Sequence, residues 1–158
     1  MSNATSIKPL TLSGINTRDI KWTHFEADPK FDYPIDYQIG ILGTAPDGSS
    51  VDFLGKWAPN SYCHYHRHLG DTTSLILEGE HHTVEMTDGG EIHKIRQPGD
   101  YARKPGGDLH MEYAGPEGSL VFFSMQVVDG QIFEVLGRGD RVLAVPTFED
   151  FVAGRLGS

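Results

Sequence analysis

Between Ala58 and Glu80 the chain places histidine at every second position: His64, His66 and His68. In an extended strand alternate side chains share a face, so this spacing predicts three imidazoles on one side of a single strand. Imidazole is the commonest protein ligand for a transition metal. One strand so equipped supplies half of a metal site, and the other half has to come from a strand remote in sequence. His110, in Gly107-Asp108-Leu109-His110, is the candidate for that half. His64 lies one step further from the expected meeting point than His66 and His68, and is carried as a fourth ligand candidate.

The rest of the chain reads as short strands separated by Gly/Pro turns. Expected strands cover Ile20 to Glu26, Tyr37 to Thr44, Ser50 to Ala58, Tyr62 to His68 and Thr73 to Met86, the last bent near Gly79. Glu91 to Gln97, Tyr101 to Lys104, Leu109 to Tyr113, Ser119 to Val128 and Gln131 to Leu136 follow. Ala45-Pro46-Asp47-Gly48, Asp88-Gly89-Gly90, Pro98-Gly99-Asp100, Pro105-Gly106-Gly107-Asp108 and Gly115-Pro116-Glu117-Gly118 have strong turn chemistry. About ten short strands at this spacing indicate an all-β sandwich or barrel. Only the end looks helical: Thr147 is positioned as an N-cap ahead of FEDFVAGRL, with acids in the first turn. Residues 1–20 are expected to form an arm and residues 21–158 a single domain, which suits a chain of 158 residues.

Composition narrows the function classes. Thirteen basic against 22 acidic residues give a net charge of −9, which argues against nucleic-acid and anionic membrane surfaces. The single cysteine, Cys63, leaves no internal disulfide and fits a reducing compartment. With no apolar leader-like run in MSNATSIKPL, the cytoplasm is the expected location.

The motif-bearing region resembles the cupin superfamily. The first cupin motif is matched from His66-Arg67-His68, through Leu69-Gly70-Asp71 and Thr72, to Gly79 after six intervening residues. The second is matched in register by Gly99, Pro105, Gly107 and His110, with Ala114 where the motif has Asn. The resemblance implies a double-stranded β-helix, the jelly-roll-like cupin barrel, with a short C-terminal helix. It also implies a metal held by His66, His68 and His110. The usual glutamate ligand is replaced by Thr72, and a three-histidine site with open positions is expected. In this respect the chain is similar to single-domain three-histidine cupins such as the acetylacetone-cleaving and dihydroxyacetophenone dioxygenases.

That likeness implies an iron(II) dioxygenase cleaving a C–C bond next to a carbonyl in a small diketone or hydroxyketone, and a homodimer. Zn, Ni, Mn or Cu are alternative metals. A non-catalytic ligand-binding cupin, or a lyase or isomerase using Zn, Ni or Mn, are alternative functions. Glu112 shares strand parity with His110 and is a candidate base or replacement ligand, or else a rim residue paired with Arg or Lys. Gln126, on an apolar strand, is a candidate for orienting substrate, with a cross-strand hydrogen bond as the plainer reading. Tyr62, Tyr101 and Arg103 are candidate pocket residues. Of His81 and His82 only one can face inward, and both read as partly exposed sheet residues. Cys63 reads as a small buried side chain.

Overall fold

A computed structural model describes residues 19–156. The expected arm over residues 1–20 lies almost wholly outside that range. Ten strands form one curled sheet: β1 (Trp22–Glu26), β2 (Asp36–Thr44), β3 (Ser50–Trp57), β4 (His66–His68), β5 (Thr72–Thr87), β6 (Gly90–Arg96), β7 (Tyr101–Lys104), β8 (Leu109–Gln126), β9 (Phe133–Leu136) and β10 (Val142–Ala144). One short helix follows, α1 (Phe148–Val152). The order across the sheet is β1-β2-β3-β8-β4-β9-β10, and β5 carries β6 and β7 while also pairing with β8.

β8 organises this topology. Its 18 residues pair antiparallel with β3, β4 and β5. The sequence predicts a turn at Gly115–Gly118 that splits it in two. Instead the strand runs through, bending where β5 also bends. Register shifts fall between Ile76 and Glu78 and between Gly79 and His81. Gly79 has φ +75°, in the left-handed region, and a Cβ there would collide with the Gly118 carbonyl. The turn-forming residues thus serve a shared bend in two long paired strands.

Alternation along these strands fills the interior. Val51 and Phe53 of β3 and Val121 and Phe123 of β8 are buried. Phe53 lies directly opposite Phe123, and their rings stack at 5.0 Å. The C-terminal helix closes one end by setting the edge of Phe151 against Phe53 at 5.0 Å. Burying one such ring contributes about 2–3 kcal/mol. Thr147 is the N-cap: its hydroxyl accepts from Asp150 N–H, and the Asp150 carboxylate accepts from Thr147 N–H. The helix stops at Val152, short of the expected run to Leu156, because Gly154 takes φ +80°. β10 was not legible as a strand. The expected strand from Tyr62 is regular only over His66–His68.

Candidate metal centre

β4 and β8 pair so that His66 stands directly opposite His110. His68, two residues on, shares the face of His66. The turn Pro105–Asp108 fastens this corner: Gly107 N–H donates to the His68 carbonyl at 2.7 Å, and His68 N–H donates to the Asp108 carbonyl at 2.9 Å. Gly107 adopts φ +94°, which a glycine supplies without strain.

Three ring nitrogens converge there. The Nε2 atoms of His66 and His68 are 3.0 Å apart, those of His68 and His110 3.1 Å, and those of His110 and His66 3.0 Å. The opposite nitrogen of each ring meets an acceptor. His66 Nδ1–H donates to the His64 carbonyl at 2.6 Å, His68 Nδ1–H to Thr72 Oγ1 at 3.2 Å, and His110 Nδ1–H to Asp108 Oδ2 at 2.8 Å. In the neutral rings this leaves three Nε2 lone pairs pointed at one another. Such an arrangement is repulsive until a proton or cation sits among them, and outer acceptors of this kind accompany metal-bound histidines. An ion about 2.1 Å from each nitrogen would see them at roughly right angles, leaving one side free for a ligand.

A carboxylate joins the group. Glu112 Oε2 lies 3.5 Å from His66 Nε2 and 3.3 Å from His110 Nε2. His66, His68, His110 and Glu112, all buried, form a set that could hold a metal ion. The other Glu112 oxygen accepts from His81 Nε2–H at 3.0 Å, and His81 Nδ1 in turn accepts from the Ser119 hydroxyl at 2.9 Å. A second cluster, His24, Glu26 and Asp36, lies at the largely exposed first hairpin.

The charges are tightly matched. Burial holds His66 down to about 4, with the neighbouring His110 charge adding to the effect. Burial also keeps His68 well below the usual imidazole range. Burial opposes charge on His110 too, but the Glu112 and Asp108 carboxylates outweigh it and raise its pKa to about 9. Burial would push Glu112 up, yet the His110 charge and hydrogen bonds from His110 and His81 hold it well below the usual carboxylate range. The metal-free centre is therefore a His110–Glu112 ion pair flanked by two neutral imidazoles, with one proton occupying the place of a cation.

Several expected residues stand elsewhere. His64 was expected on the same strand face, but residues 63–65 are not regular strand. Its Nδ1 accepts from the Tyr37 hydroxyl at 2.7 Å and its Nε2–H donates to Asp28 at 3.2 Å, so both nitrogens are engaged away from the group. Thr72 lies behind His68, not among the converging atoms, and also donates to the Gly70 carbonyl at 3.4 Å. Gln126 is exposed at the end of β8, and Arg103 reaches Asp71 in the open. Tyr101 is exposed. His81 and His82 are both buried, contrary to the expectation of partial exposure. His81 faces the centre, while His82 is held by Glu80 and His93 and stacks on Tyr113. Asp108 was not singled out from sequence, although its position two residues before His110 signals a shared face.

Two small cavities flank the group. One, of ≈ 40 Å³, is walled mainly by Ile39, Phe53, Phe123, Met125 and Phe133 and includes Trp57, His66 and Glu112. The other, of ≈ 30 Å³, is polar, lined in part by Thr72, Thr83, Lys104 and Asp108. Glu112 borders both. A far larger open groove of ≈ 730 Å³ runs along Leu75–Gly79 and Glu117–Leu120 and includes none of the four clustered residues.

Solved structures with the same arrangement of strands decide the fold. An acetylacetone dioxygenase from Acinetobacter johnsonii superposes with a TM-score of 0.64 at 16% identity, covering 84% of each chain. The fold is that of a cupin. A putative acetylacetone dioxygenase from Methylibium petroleiphilum PM1 gives a TM-score of 0.66 at 16% identity, over 88% of this chain and 90% of that chain. An RmlC-like cupin from Ralstonia eutropha JMP134 gives 0.64 at 14% identity, over 91% and 81%. No protein-family model matches the chain, and no curated protein matches it in sequence. At these identities the likeness carries the barrel and leaves the chemistry to the residues. No helix among the described residues is long and apolar enough to cross a membrane.

Proposed function

We propose that this cupin is an iron(II)-dependent dioxygenase that cleaves a carbon–carbon bond next to a carbonyl in a small diketone or hydroxyketone. The observation that carries the reading is the triangle of three Nε2 atoms, each ring fixed from behind, with His66 and Glu112 also lining a small apolar cavity. Two proteins of the same fold bear the name acetylacetone dioxygenase, one of them as putative, which supports a diketone as the substrate class.

Bound iron(II) would supply Lewis acidity toward a chelating enolate and a redox-active centre through which the substrate's electrons reach dioxygen. His66, His68 and His110 would hold it, and the His64 carbonyl, Thr72 and Asp108 fix the three rings. Glu112 is the base. Its Oε2 faces the centre and receives the proton lost as the substrate enolises, while Oε1 stays bonded to His81. His81 keeps the carboxylate from rotating, and Ser119 fixes the His81 tautomer. The phenylalanine and methionine walls exclude water from the reacting carbon. The apolar cavity, ≈ 40 Å³, lies far below the roughly 300–1,000 Å³ of drug-sized sites, which favours a compact substrate over a bulky one.

A second reading rests on Glu112. Three imidazoles and a carboxylate also suit zinc, nickel or manganese acting as a Lewis acid in a lyase or isomerase. Elemental analysis of protein purified without added metal, followed by oxygen uptake with β-diketones and hydroxyketones, separates the two. Iron with substrate-dependent uptake is the expected result. Zinc-only protein that turns over without oxygen refutes the dioxygenase, and iron-loaded protein that binds these compounds without uptake makes it a ligand-binding cupin.

A further inference from the structure

Among the described residues two buried side-chain polar atoms lack a hydrogen-bond partner, Trp57 Nε1 and Thr83 Oγ1. Thr83 belongs to the polar cavity. Trp57 lines the apolar one as well as the large groove, and its position is tightly fixed. It ends β3, is 4% exposed, stacks on Tyr37 at 5.9 Å and meets the His81 ring at 4.5 Å. The Cys63 thiol stands beside the indole, but sulfur is a weak acceptor and leaves the N–H without an oxygen or nitrogen partner.

An unpartnered buried N–H is costly, and native proteins rarely leave one without a ligand or water to receive it. The other polar groups of this cavity have partners already. Tyr37 and His64 are bonded to each other, and Glu112 is bonded to His81. Trp57 is therefore a donor in reserve, in the same small cavity as His66 and Glu112.

We propose that the Trp57 indole N–H is a substrate-positioning donor, hydrogen-bonded to an oxygen of the compact carbonyl compound held at the centre. This rests on the metal-centre reading above and adds a specificity element to it. The cavity selects for a ligand with an acceptor oxygen next to the atoms that bind the ion, since an apolar ligand leaves the N–H stranded. A metal ligand with no such oxygen gains nothing from Trp57.

The test uses zinc-loaded protein, which binds without turnover, and two probes, acetylacetone and imidazole. Trp57→Phe keeps an aromatic ring in the wall and removes the N–H. Acetylacetone affinity falls by about tenfold or more, as expected for a lost hydrogen bond to a charged acceptor, while imidazole affinity stays unchanged. In a Trp22→Phe background Trp57 is the lone tryptophan, and its fluorescence changes on addition of acetylacetone. Equal acetylacetone affinity in wild type and Trp57→Phe overturns the assignment alone. A parallel loss of imidazole binding also overturns it, because it marks a purely structural role. Wild-type protein that takes up no zinc removes the metal-centre reading and this inference together.

Discussion

Glu112→Gln isolates the charge at the heart of the metal-free centre. The amide has nearly the same shape, and its oxygen can still accept from His81, so the loss is chiefly the anion. That anion is the strongest influence raising His110 from 6.5 to about 9 against the cost of burial. A group whose folded pKa lies above its unfolded one adds stability in full below the unfolded value and loses it as pH rises through the folded value. The window here runs from about pH 6.5 to about 9. At about 1.4 kcal/mol per pH unit the whole effect is about 3 kcal/mol, of which Asp108 supplies a smaller part. Glu112→Gln in chelator-treated protein is therefore expected to lose about 2–3 kcal/mol at pH 6.5, and very little at pH 9.5, where His110 is neutral in both proteins. Urea unfolding at four or five pH values measures it directly. A deficit that stays constant from pH 6.5 to 9.5 would refute the ion-pair argument and assign Glu112's contribution to packing or to its bond with His81.

Three further outcomes are expected. Metal uptake has to displace the His110 proton, so the apparent zinc affinity rises about tenfold per pH unit between pH 7 and 8.5 and flattens above about 9; a flat profile over that range, read by competition with a chromogenic chelator, contradicts the proton-for-metal exchange. Asp108→Asn weakens the brace behind His110 and costs about 10–100-fold in metal affinity, whereas an unchanged affinity detaches Asp108 from the centre. Thr72→Glu does not restore a carboxylate ligand, because position 72 lies behind His68. It crowds a second carboxylate into the small polar cavity, where Lys104 is already paired with Glu85, and lowers the melting temperature; a variant with tighter metal binding and wild-type stability would place position 72 among the ligands after all.

The centre was partly legible in sequence. His66, His68 and His110 could be named because fixed spacings within two segments follow the strand period and the turn before His110. Glu112 followed from parity alone. His64 misled for a local reason: parity holds only inside a regular strand, and residues 63–65 leave it, turning the ring toward Tyr37 and Asp28. The Gly115–Gly118 stretch misled for a tertiary one. Its residues are turn formers, and only the pairing of β8 with an equally bent β5 lets the chain pass through as strand. The links from Glu112 to His81 and Ser119 join residues 31 and 38 positions apart, and nothing in local patterning announces such a partner.

The pairing of His66 with His110 spans 44 positions, across two neighbouring strands of the barrel. Donors so far apart along the chain do not meet until β8 has docked, and closing such a loop precedes any reward from the contacts it makes. An ion bound there would be a late passenger arriving at a finished socket, and stripping it should leave the barrel standing and ready to be refilled.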